Sequence, residues 1–162
     1  MKQELKQTFD KPASTVIKMF GDRQYFERKY AELGFKNVQV LEHDKKGDQF
    51  TIRVRYTAKA DVALPDFAKK FVPAEMTITQ RDSWDMAKKV GQLEVELAGL
   101  PLKVGAAMRL VDSGKGSTNT IAWEIKCSVP LVGGKLEKLL MSDIEAKADA
   151  DLAASRKILA DY

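Results

Sequence analysis

Among the 162 residues there is one cysteine, Cys127, and one histidine, His43. A lone cysteine excludes an intramolecular disulfide and any multi-cysteine zinc site, and favours a reducing, cytoplasmic setting. His43 stands beside Asp44 and Lys45 with no second histidine and no HExxH pattern, so it reads as a solvated residue at a strand end, and neither metal nor cofactor is expected. Cys127 belongs to no nucleophile motif and reads as a small core residue. No run approaches the ~18 apolar residues of a membrane span. The first ten residues alternate polar and apolar side chains, which is not the apolar core of a signal peptide. Charge of one sign is also scarce: 27 Lys+Arg are interspersed with 23 Asp+Glu for a net +4. The pI of about 9.1 therefore describes no single basic face. Arg53, Arg55 and Lys59 share one strand face but lack interleaved aromatics, so no nucleic-acid partner is expected. Glu94 and Glu96 offer them cross-strand ion pairing instead.

What remains is 44% hydrophobic and 31% charged residues with a mean hydropathy of −0.31. Those values exclude a disordered, collagen-like or coiled-coil chain, and the length predicts one domain over 1–162.

Periodicity then orders the elements. Lys2 to Phe9 predicts a short strand. Asp10 is a candidate N-cap and Pro12 an early helical residue for a helix carrying Val16, Met19 and Phe20. Gly21 ends it, Asp22 caps a second helix with Phe26, Tyr30 and Leu33 on one face, and Gly34 suits its C-terminus. Alternation of period 2 follows over Phe35 to Asp44, then over Phe50, Ile52, Val54, Tyr56 and Ala58. Asp61 to Pro73 is a long connection with one helical turn. Met76, Ile78, Gln80, Asp82 and Trp84 share the face of the next strand. Leu93, Val95 and Leu97 mark another, Val104 to Leu110 another, and Ile121 to Val129 the last. After Gly133-Gly134 the apolar residues Leu136, Leu140, Ile144, Ala148, Leu152 and Leu159 predict a helix of roughly 27 residues, about 40 Å long. Six successive antiparallel strands with one polar face each need a cover for the other face, and the C-terminal helix supplies it. Small Ala58, Ala106, Ala148 and Ala154 beside Tyr56, Trp84 and Trp123 suit either a ligand-sized cavity or a filled core.

Particular residues carry a family resemblance: Asp22 with Tyr25 to Tyr30 leading to Gly34, Leu64-Pro65, Trp84 ahead of Gly91, Gly99-Leu100-Pro101, and above all Val129-Pro130-Leu131-Val132-Gly133-Gly134-Lys135-Leu136-Glu137. The chain resembles, over essentially its whole length, the START-like (SRPBCC, Bet v 1-like helix-grip) superfamily. Within it the chain is similar to an uncharacterised bacterial family. The resemblance implies an α+β helix-grip fold of order β-α-α-β6-α, with about seven curved strands around the last helix. It also implies a cavity for a hydrophobic small molecule such as a lipid, sterol or polyketide, with a loop or short helix at its mouth. Some members of the superfamily are enzymes, but no catalytic motif is common to them all.

On this reading Tyr56, Met76, Ile78, Met108, Trp84, Trp123, Leu140 and Ile144 line the cavity, Gln80 and Asp82 orient a polar group, and Phe67 and Phe71 close the mouth. A carboxylate aimed into an apolar interior is costly unless it has a reason. The other reading of Asp82 is a bulge near Gln80 that turns it to solvent, or a pair with Arg81 or Arg109. An enzyme of cyclase or hydratase type, with Asp82 as acid or base, is the alternative function, although no second catalytic group stands out. A ligand-free interaction domain is the remaining one. Phe67 and Phe71, with Lys69 and Lys70 between them, suit transient contact of the 62–73 loop with a membrane surface or simple packing over the sheet end. Val132-Gly133-Gly134-Lys135-Leu136 fails as a phosphate loop, because Val129 and Leu136 replace its first glycine and its hydroxyl residue. Its glycines open a helix whose free amides suit an anion, or simply let the chain turn sharply.

Overall fold

A computed structural model describes residues 1–162. Seven strands form one antiparallel sheet: β1 (Lys2–Phe9), β2 (Lys36–Lys46), β3 (Gln49–Lys59), β4 (Glu75–Asp85), β5 (Val90–Leu97), β6 (Leu102–Ser113) and β7 (Gly116–Cys127), in the spatial order β1-β7-β6-β5-β4-β3-β2. Helices α1 (Ala13–Phe20) and α2 (Arg23–Glu32) follow β1. The single turn α3 (Asp66–Lys69) lies in the β3–β4 connection, and α4 (Gly133–Leu159) runs 27 residues near the C-terminus. The chain is thus an α+β helix-grip fold.

Local chemistry explains most boundaries. The Asp22 carboxylate accepts from the Gln24 amide at 2.9 Å, which satisfies one orphan donor of α2. Gly34, at φ +72°, then turns the chain out of the helix. The start of α1 differs from expectation. Pro12, not Asp10, precedes its first residue, and the Ala13 amide donates to Asp112 Oδ1 from β6 at 2.8 Å. Pro12 is extended (ψ 158°), which carries Asp10 away from the first turn, so a long-range cap replaces the local one. The edge strand β2 also runs two residues further than its pattern suggests, with register shifts between Lys36 and Gln39 and between Val40 and Glu42. Such irregularities twist an edge and discourage pairing with another chain.

The sheet order corrects the expected ion pairing of Arg53 and Arg55. Strand β4 intervenes between β3 and β5, so Arg53 faces Arg81 and Arg55 faces Thr79. Arg81 and Thr79 are the residues that face Glu94 and Glu96.

Aromatic packing fixes α1 and α2 against one end of the sheet. Phe20 stacks on Trp84 at 5.1 Å, Phe26 on Phe50 at 5.9 Å and Tyr30 on Tyr56 at 4.9 Å. Burial of each ring contributes about 1.5–3 kcal/mol. Gly91 sits directly opposite Trp84, and a Cβ there would lie 2.8 Å from the indole. Gly133 lets α4 approach the sheet in the same way, because its Cβ would meet the Cys127 carbonyl oxygen at 2.8 Å. Of the Gly-Gly pair, Gly133 alone is therefore the close-packing residue at the sharp turn under the sheet. No helix is long and apolar enough to cross a membrane.

Candidate functional site

The inward row of β4 is unbroken. Strand β4 pairs with β3 from Gln49–Asp85 to Lys59–Glu75 with no register shift, so no bulge turns Asp82 outward. Met76, Ile78, Gln80, Asp82 and Trp84 face the interior together, as period 2 requires. Tyr56 joins them from β3, Met108 from β6, Trp123 from β7, and Leu140 and Ile144 from α4. These ten residues, each named from sequence pattern as ligand-lining, all line one cavity of about 450 Å³ between the sheet and α4. Ala58, Ala148 and Ala150 also line it. Their short side chains leave the space that the large neighbours do not fill.

The polar end holds groups the sequence reading missed. Lys29 on α2 is only 7% exposed. Its ammonium lies 3.3 Å from Asp151 Oδ2 of α4 and 5.1, 5.6 and 5.5 Å from the ring centroids of Tyr25, Phe26 and Tyr30. Gln7 Nε2 donates to the other Asp151 oxygen at 3.1 Å, and Asn119 Nδ2 donates to Gln7 Oε1 at 3.1 Å. A second chain runs along the sheet: Tyr56 Oη donates to Gln80 Oε1 and Gln80 Nε2 donates to Asp82 Oδ1, both at 3.0 Å. Tyr30 Oη, Trp123 Nε1 and Asn119 Oδ1 are buried without a hydrogen-bond partner, and all three residues line the cavity. A sequence signal did exist for Lys29 and Asp151. Lys29 stands four residues after Tyr25 and three after Phe26, and Asp151 stands three after Ala148, so both fall on apolar helix faces.

Burial governs the titration of these groups. Asp82, 6% exposed, has its pKa pushed up to about 6 by desolvation, against the opposing pull of Lys29 and the Gln80 hydrogen bond. Lys29 loses hydration too, which disfavours its charge. Asp151, with smaller contributions from Tyr25, Tyr30 and Asp82, outweighs that loss and holds it well above the ordinary lysine value. The ammonium therefore persists at neutral pH. Tyr25 is pushed up to about 12, and Tyr30 and Tyr56 also rise, in each case chiefly by burial. The expected alternative pairing of Asp82 with Arg81 or Arg109 does not form; no ion pair involves either arginine.

At the other end a smaller apolar cavity of about 30 Å³ adjoins the first, sharing Met76, Leu97, Leu140 and Asp143 with it. Lys147 of α4 pairs with Asp143 and, at 3.5 Å, with Asp61, and it donates to the Lys59 carbonyl at 3.1 Å. The Asp61 amide also donates to Asp143 Oδ1. These bonds strap the β3–β4 connection to the helix. Phe67 and Phe71, expected at the mouth, line neither cavity. Phe67 lies on α3 and Phe71 just beyond its end, and the Lys135 ammonium lies 5.6 Å from the Phe67 ring. Ala68, fully buried, and Val72, on the smaller cavity's wall, take the inner side instead. Phe71 is 36% exposed, and Leu131, at φ +69°, is fully exposed.

Residues 4–159 match the model of a family described as a protein of unknown function, DUF2505, and the chain belongs to that family. No curated protein matches the chain. Among solved structures it is similar to TTHA0849 from Thermus thermophilus, with 15% identity, a TM-score of 0.68, and 98% of this chain and 97% of that chain covered. The Zhui aromatase/cyclase from Streptomyces sp. R1128 matches at 16% identity and TM-score 0.64, covering 98% of this chain and 93% of that one. Norcoclaurine synthase from Thalictrum flavum, in complex with dopamine and hydroxybenzaldehyde, matches at 14% identity and TM-score 0.64, covering 98% and 86%. The fold these proteins share with the chain is the Bet v 1-like helix grip.

Proposed function

We propose that this member of the DUF2505 family, acting as one unit over 1–162 in the cytoplasm, binds or carries a hydrophobic small molecule of lipid, sterol or polyketide-like character. The observation that carries this reading is the cavity of about 450 Å³, with 24 of its 35 lining residues hydrophobic. That size and that mixture of apolar walls with a few polar groups suit a ligand pocket rather than a packing defect. The ten lining residues from Tyr56 to Ile144 hold the body, and Gln80 and Asp82 orient its polar group. The similar norcoclaurine synthase is in complex with two small molecules, which supports the same use of the fold here. Exchange takes place at the strapped end, where exposed Leu131 and Phe71 with Lys69, Lys70 and Lys135 support transient contact of the 62–73 segment with a membrane surface.

A second reading draws on Asp82 alone. A buried carboxyl titrating near neutrality is suited to acid–base work, and the similar Zhui protein is an aromatase/cyclase. Under that reading Asp82→Asn abolishes turnover; under the carrier reading there is no turnover to abolish.

The test of the carrier reading uses a neutral solvatochromic dye, Nile red, whose emission reports an apolar site. Wild-type protein should take it up. Ala148→Phe, which places a ring in the cavity from α4, should abolish uptake without loss of thermal stability. Equal uptake by both proteins would refute binding in this space.

A further inference from the structure

The charges on the cavity wall do not balance. Lys29 is fully engaged, since Asp151 holds its ammonium at 3.3 Å and the rings of Tyr25, Phe26 and Tyr30 surround it. Gln7 occupies the other oxygen of Asp151, so that pair is closed and neutral. At the opposite end Lys147 is held by Asp61 and Asp143. Lys6 is the remaining lysine on the wall, and it is exposed. Asp82 is left with a single hydrogen bond, from the neutral Gln80 amide, and no cation within ion-pairing distance. The titratable groups that bear on it are Lys29 and Tyr30 from α2, Tyr56 from β3 and Asp151 from α4. None of them closes its charge. A buried carboxylate in that position carries a desolvation cost that a cationic partner offsets.

We infer that the cavity takes an amphiphilic amine, with its apolar, ring-sized body between sheet and α4 and its ammonium paired with Asp82. This rests on the cavity being a ligand site. The rings of Tyr56 and Trp84 on the same wall are already stacked on Tyr30, Phe35 and Phe20, so the Asp82 carboxylate is the group left to meet a cation. A fatty-acid carboxylate would bring like charge to Asp82, and a neutral alcohol would leave it unpaired. The unpartnered Tyr30 Oη, Trp123 Nε1 and Asn119 Oδ1 accommodate a hydroxyl or carbonyl elsewhere on the same molecule.

Three probes with one ring system decide the matter on the full chain: 2-naphthylethylamine, 2-naphthylethanol and 2-naphthylacetic acid, each competing with Nile red. The amine should bind most tightly near neutral pH and weaken about tenfold by about pH 5, as an Asp82 with pKa about 6 takes up its proton. The alcohol should show no such dependence, and the acid should bind worst. Asp82→Asn should bring the amine down to the affinity of the alcohol and remove its pH dependence. The pH profile of the wild-type protein stands alone should that variant not fold. If the alcohol or acid displaces the dye as well as the amine does, or if the amine's affinity does not rise with pH, the amine inference falls and the cavity reading stands. If neither the dye nor any probe binds, both fall.

Discussion

Asp82→Asn should make this protein more stable at neutral pH and leave it unchanged in acid. The carboxyl is 6% exposed, and burial raises its folded-state pKa to about 6, against about 3.9 in an unfolded chain. The folded state therefore holds the proton more tightly than the unfolded state. Its contribution to stability is complete below about pH 4 and is lost as pH rises through about 6. At about 1.4 kcal/mol per pH unit, two units correspond to about 2–3 kcal/mol removed at neutral pH. Asparagine keeps an oxygen that accepts the 3.0 Å hydrogen bond from Gln80 Nε2 while removing the charge. Urea unfolding of both proteins across the acid-to-neutral range should give coincident curves near pH 4. Near neutrality the variant should be about 2–3 kcal/mol more stable, which is roughly 4–12 °C in Tm for a chain of this size. A gain equal at both ends of the range would show that asparagine acts through packing. A loss at neutral pH would show that Lys29 compensates Asp82 in full, and either result refutes the unbalanced carboxylate. A residue that lowers the stability of its own fold while standing on a cavity wall has the signature of a functional position.

Lys29→Met should cost about 2–4 kcal/mol, below the full penalty for breaking a buried pair because Asp151 retains some exposure (29%); the double variant with Asp151→Leu should recover most of it in a double-mutant cycle. The same Lys29→Met change should carry the Asp82-linked loss of stability on to higher pH, since Lys29 is the strongest group opposing the rise in the Asp82 pKa; an unmoved profile would show that the two do not interact. At the start of α4, Gly133→Ala places a Cβ 2.8 Å from a backbone carbonyl, whereas Gly134→Ala meets nothing within 4 Å. Chemical denaturation should register a loss of about 1–3 kcal/mol for the first and a neutral or slightly stabilising effect for the second.

The fold was legible because each of its elements repeats a period long enough to declare itself. Phe50 to Ala58 alternates over five inward positions, Met76 to Trp84 over another five, and the stripe from Leu136 to Leu159 spans nearly all of α4. The apolar wall followed from the same alternation, which is why all ten pattern-derived residues meet around one space. The polar end was hidden by the same logic. A lysine or aspartate on a helix is ordinarily placed on the solvent side, and Lys29 and Asp151 belong to different helices separated in sequence by six of the seven strands. Only the packing of α2 on α4 makes each the reason the other can be buried. Asp112 as the cap of α1 is another case, since it lies 99 residues from the amide it serves. Phe67 and Phe71 stand off the cavity walls for a local reason: a single helical turn has no established inner side, and small Ala68 fits the interior where a ring does not. Period reports which face of an element is apolar, whereas a buried charge depends on which faces meet. In this protein the charge that remains unmet is Asp82, set facing inward by alternation along β4 and left there without a cation.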